Sequence, residues 1–140
     1  MRGEILAPAA VLVLWTLVML GWVGFSRVKA IGGSKTLIKA PAGIRGQDLD
    51  KLLPATANWP SHNYTHLTEQ PTLFYATVTI LALMGAGGID VALAWAYVVL
   101  RVVHSFWQSL VNRIPVRFTL FALQTLCLLV LAVRAAIATF

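Results

Sequence analysis

The chain has 140 residues, 59% of them apolar and only 11% charged, against about 25% charged in ordinary soluble domains. That balance excludes a soluble globular protein of usual composition and implies one domain, 1–140, held in a bilayer. The net charge of +6 does not point to nucleic acid, because most basic residues lie in one loop between apolar runs, which is a membrane-topology pattern.

A bilayer core about 30 Å thick takes about 20 helical residues, and four segments reach that length. The first helix is expected over 5–25, with Pro8 in its tolerant first turn. It is too long for the apolar part of a signal peptide, and Arg27 and Lys29 follow it without a small-residue cleavage site. In the next segment, 26–61, Gly32, Gly33, Pro41, Pro54 and Pro60 argue against one long helix. Asp48, Asp50 and Lys51 could lie there on a short surface helix. The second apolar run is Leu67 to Ala86, in a helix placed at 62–86. Gly85, Gly87 and Gly88 break the chain after it, and Asp90 marks a turn. The third helix is expected over 91–111, ended by Asn112, Arg113 and Pro115. The fourth spans 117–139, with Gln124 and Arg134 as polar members that read as structural. The single cysteine, Cys127, lies in this last run and reads as packing. The fold class is therefore all-α, an integral membrane four-helix bundle.

Lysine and arginine positions set the expected orientation. The 26–61 loop holds Arg27, Lys29, Lys35, Lys39, Arg45 and Lys51, and the last connection holds Arg113 with Arg117 at its edge. The other side has only Arg2 and Arg134. Both basic connections are expected in the cytoplasm and both termini outside it.

The third helix carries Tyr97, Arg101, His104 and Gln108, spaced four, three and four so that they share one face. A polar stripe on an apolar helix should face the bundle interior or a cleft, and an intramembrane arginine needs compensation. Glu69, expected near the cytoplasmic boundary, is the natural partner for Arg101. If the second helix begins near Ser61, Pro71 frees the Leu67 carbonyl and bends the helix beside Glu69. If it begins at Gln70, Pro71 is a first-turn residue and Glu69 a capping acid. The absence of a breaker from Asn63 to Thr68 favours the first. His62 and His66 could share a face but lack a third ligand, so no metal is expected.

The segment Glu69-Gln70-Pro71-Thr72-Leu73-Phe74-Tyr75 and the run RVVHSFWQSLVNRIPVRF at 101–118 resemble the MAPEG family, the membrane-associated proteins in eicosanoid and glutathione metabolism. The likeness covers most of the chain, most strongly from about residue 58, and is greatest to the bacterial branch. It implies a homotrimer in a bacterial inner membrane, with glutathione bound between subunits near the cytoplasmic side and transferred to lipophilic substrates. By that resemblance Arg117 would activate the thiol. Glu69, Arg101, His104, His66, Gln108 and Arg113 would form the ligand-binding set. The chain departs from glutathione-using members at two of these: His66 stands where they carry asparagine, and Gln108 where a tyrosine is expected. Two function classes follow. One is a glutathione- or thiol-dependent transferase or peroxidase. The other is a non-catalytic membrane protein whose Glu-Arg-His network only stabilises the trimer.

Overall fold

A computed structural model describes residues 3–33 and 41–140. Arg2, Lys35 and Lys39 of the charge pattern lie outside the described residues. Four long helices account for most of the rest: α1 (Leu6–Gly32), α2 (Ala55–Met84), α3 (Gly88–Leu110) and α4 (Ile114–Thr139), with a short 3-10 helix at Asp48–Lys51. There is no strand among the described residues. The connections after α2 and α3 are a few residues long, so consecutive helices run antiparallel. α2 and α3 form the middle of the bundle. Each packs against the other and against both α1 and α4.

The sequence dictates which side of each helix turns inward. On α1 the fully buried apolar residues are Leu12 and Met19, seven apart, with Ile5 just before the helix and seven residues from Leu12. Such a seam is narrow, and Leu14, Phe25 and Val28 on its other faces are exposed. Phe74 of α2 stacks on Tyr97 of α3, centroids 4.3 Å apart, and both are wholly buried. Leu128, Leu131 and Ala135 complete the core from α4. Exposed Leu83, Ile89, Phe118 and Ile137 on the outside suit contact with lipid rather than water.

α1, α3 and α4 are each long and apolar enough to cross a membrane. α2 is not among them, although the Leu67–Ala86 run is expected to qualify. Its first half is polar, with Asn58, Ser61, His62, Asn63, His66, Glu69 and Gln70, and several of these turn into the bundle. α2 also starts earlier than either reading of Pro71 requires. Pro54 is its N-cap, and both Pro60 and Pro71 lie inside it. Pro71 is thus no first-turn residue, and the Leu67 carbonyl lacks its usual partner.

The early start has a visible cause. Arg27, on an α1 that runs seven residues beyond Phe25, donates from Nη1 to the Gly46 carbonyl (2.7 Å). Its Nη2 reaches Asp50 Oδ1 (3.0 Å) and Ser61 Oγ (2.8 Å). Asn58 Nδ2 donates to the Asp50 carbonyl and Ser26 Oγ to the Ala57 carbonyl. The first turns of α2 are fastened from outside, which offsets the helix-breaking tendency of Pro60.

Candidate functional site

Tyr97, Arg101, His104 and Gln108 all lie buried on the inner face of α3. Arg101 is 1% exposed. Its Nη1 sits 2.6 Å from His104 Nδ1, and its Nη2 donates to the Asn63 carbonyl at 3.5 Å. A guanidinium only donates, so Nδ1 of His104 must accept. The ring proton of a neutral His104 then sits on Nε2.

Glu69 does not meet Arg101. Its carboxylate is 62% exposed and its neighbour is His66 Nδ1, at 3.5 Å, one turn earlier on the same helix. The direction of the side chain defeats the expected pair. Adjacent residues on a helix point about 100° apart, and it is Gln70, not Glu69, that faces inward. Along the bundle Glu69 is level with the middle of α3, since its neighbour Gln70 meets Tyr97. It sits on the flank of the bundle at a depth similar to that of Arg101.

Gln70 is the polar residue that the sequence reading passed over. Its Oε1 accepts from Tyr97 Oη and from Gln124 Nε2, both at 3.2 Å, and its Nε2 donates to Thr125 Oγ1 at 2.8 Å. One side chain thus ties α2 to α3 and α4.

Towards the basic end, a cavity of about 200 Å³ opens between α2, α3 and α4. It is lined by His66, His104, Ile114, Arg117, Phe118 and Phe121. The rings of His66 and His104 stand 6.3 Å apart, edge to face. Arg117 is held by Asn112, whose Oδ1 accepts from Nη1 at 2.7 Å. Asn112 has φ 53°, the left-handed region that asparagine tolerates better than most residues. That turn ends α3 and aims the amide at the first turn of α4. The carbonyl of Arg113 accepts from the Arg117 N–H and from Trp107 Nε1, each at 3.2 Å, while the Arg113 side chain is exposed.

The expected site residues therefore divide. His66, His104 and Arg117 line one cavity, and Glu69 adjoins it through His66. Arg101 stands behind His104, buried and not on the cavity wall. Gln108 is buried and its Oε1 has no partner among the described residues, but it does not line the cavity either. The apolar wall of Ile114, Phe118 and Phe121, and the Asn112 that fixes Arg117, escaped the sequence reading. The sequence signal for Asn112 is an asparagine directly after a helix and five residues before the arginine it holds. The result is a cation, two imidazoles and an aromatic wall at the bundle's edge, a combination suited to an anionic group with an apolar neighbour.

At the opposite end, Arg134 binds the Asp90 carboxylate through Nε and, at 3.2 Å, through Nη2. Asp90 Oδ2 also accepts the Gly87 N–H at 2.8 Å, capping α3.

No curated protein and no solved structure matches the chain significantly. A family model does match it, over residues 5–137, which covers all four helices and every side chain of the cavity. The chain is a member of the MAPEG family, an integral membrane helical bundle.

Proposed function

We propose that the protein is a glutathione- or thiol-dependent transferase or peroxidase acting on lipophilic substrates. The observation that carries this reading is the cavity that Arg117 lines together with His66, His104 and the apolar Ile114, Phe118 and Phe121. A guanidinium beside a thiol favours the thiolate, the reactive form. Ile114, Phe118 and Phe121 offer an apolar electrophile a surface next to that sulfur. The Nε2–H of His104 is the hydrogen-bond donor left to the cavity once Arg101 has engaged Nδ1.

Glutathione is an anionic tripeptide with one amine, and the residues present fit its charges. Arg117 and Arg113 suit its carboxylates, and the exposed Glu69 suits its ammonium. Arg101 acts through His104, which it holds in one tautomer. The cavity in one chain, about 200 Å³, is smaller than the roughly 300–1,000 Å³ of ordinary small-molecule sites. Glutathione would therefore need walls from a second subunit.

The same reading places the protein as a homotrimer in a bacterial inner membrane. Glu69 supports the assembly, because a carboxylate exposed at mid-bundle depth on an apolar protein costs at least roughly 2.5 kcal/mol in lipid. A neighbouring copy would cover it. Arg27, Lys29, Arg45, Lys51, Arg113 and Arg117 gather at one end, which supports a cytoplasmic basic end and termini on the other side.

One observation favours the non-catalytic reading: the Gln70 network, whose bonds span three helices and touch no cavity wall named above. Calorimetric titration of glutathione into detergent-purified protein separates the two readings. Binding is expected, and Arg117→Ala is expected to lower thiol conjugation at least about 100-fold with the oligomer intact. No heat and no thermal shift at millimolar glutathione would overturn the glutathione reading.

A further inference from the structure

A second hollow, of about 730 Å³, lies at the basic end, between the last turns of α1 and the stretch leading into α2. Ser26, Lys29 and Gly33 form one side, and Lys51, Leu52 and Leu53 the other. Its size falls in the range of small-molecule sites, roughly 300–1,000 Å³.

Neither lysine forms an ion pair among the described residues. The chain holds five acids; Asp48 and Asp50 share the 3-10 helix with Lys51, but each bonds another group. Asp50 is taken by Arg27 and His62. Asp48 accepts the Arg45 N–H, Glu69 faces His66 and Asp90 binds Arg134. Glu4 precedes α1 at the far end of the bundle, and residues 34–40 include no acid. Two ammonium groups therefore border one hollow with no carboxylate held in salt-bridge contact among the described residues.

The surroundings narrow the ligand. Phe25 and Val28, in the turn of α1 before Lys29, are 70% and 71% exposed, and Phe25 lies four residues from Lys29, on the same face. Leu52 is also exposed beside Lys51. The positive charge thus sits where lipid-facing apolar surface gives way to the basic end. A soluble anion would use the lysines and leave that flank bare. A phospholipid would use both.

We propose that this hollow binds the phosphate headgroup of an anionic membrane phospholipid, with Lys29 and Lys51 as its ligands and an acyl chain along Phe25. The site is separate from the Arg117 cavity and independent of any catalytic activity. Lysines near an anionic lipid surface attract it measurably one by one, and charge-assisted hydrogen bonds to phosphate fix the position.

The test uses the full-length protein in mixed micelles of phosphatidylglycerol and phosphatidylcholine, with retained lipid read by native mass spectrometry. Wild type is expected to retain phosphatidylglycerol preferentially. Lys29→Gln and Lys51→Gln should each lower that retention about fivefold, and the Lys→Arg variants should keep it. Arg45→Gln, a charge loss at an exposed position on the same loop, should change it less than about twofold. Equal loss with Arg45→Gln would mean diffuse attraction and overturn the site. Displacement of phosphatidylglycerol by millimolar inorganic phosphate would assign the hollow to a soluble anion and overturn the lipid. Equal retention of the two lipids would overturn both.

Discussion

Arg101 and Arg134 bring positive charge into the bundle from opposite ends, and they are treated differently. Arg134 meets Asp90, which also caps α3. Charge, cap and hydrogen bonds close on themselves there. Arg101 is buried more deeply and meets no carboxylate. Among the described residues its Nε has no partner, nor do the side-chain polar atoms of Asn63 on α2 or Oε1 of Gln108 and Oγ of Ser109 on α3. A buried polar group left unpaired costs about 1–3 kcal/mol. The chain thus spends its acid on the end that only needs holding. At the other end it keeps a charge under-compensated behind the His104 that lines a cavity. An incompletely paired cation next to an opening is what anion recognition requires, and a completely paired one is what a helix joint requires.

The largest effect on stability expected from breaking this contrast is at His104. His104→Leu leaves Arg101 without its acceptor and should destabilise by about 1–3 kcal/mol, with loss of turnover. Replacing both groups, as Arg101→Met with His104→Leu, removes the orphan and should recover most of the stability while turnover stays lost. Thermal unfolding in detergent checks both. A double variant less stable than the single one would make Arg101 a structural residue like Arg134. Next comes Gln70→Leu. Three side-chain bonds between helices are lost, averaging roughly 0.6 kcal/mol each in a membrane, so a loss of about 2 kcal/mol is expected with turnover nearly unchanged. A parallel fall in turnover would make the middle layer part of the site.

The sequence reveals α3 better than α2, for a physical reason. On α3 the polar residues fall on one stripe among valines, leucines and alanines, so the inward face declares itself. On α2 polar residues surround the first half of the helix. Nothing local distinguishes Glu69, which turns out, from Gln70, which turns in; the choice is made by Tyr97, Gln124 and Thr125 on other helices. The start of α2 is hidden likewise. Pro54 and Pro60 read as breakers, and only the contacts of Arg27 and Asn58 with the 46–61 segment show why the helix survives. Arg117 could be picked out through the family resemblance, but its support by Asn112 depends on a left-handed turn that one residue type merely permits.

At the closed end, Asp90→Ala should cost less than the Gln70 change. The α3 cap on Gly87 is lost, worth about 0.3–1.5 kcal/mol, while Arg134, partly exposed, can turn toward the interface. Turnover should not change. If it does, the two ends are coupled and the contrast between them is too sharp.

The smallest change in stability belongs to Asn112→Gly. Glycine adopts φ 53° freely, so the turn that ends α3 is kept and stability should stay within about 0.5 kcal/mol. What is removed is the acceptor that holds Arg117 Nη1. Turnover should fall about threefold to fivefold, equivalent to less than about 1 kcal/mol of a charge-assisted hydrogen bond, with the loss in kcat rather than KM if Arg117 acts on the bound thiol. Asn112→Asp retains an acceptor at the same place and should restore most of the rate. Unaltered turnover in Asn112→Gly would show that Arg117 works without being aimed. The open end would then be defined by its cations and its cavity alone, not by the turn that positions them.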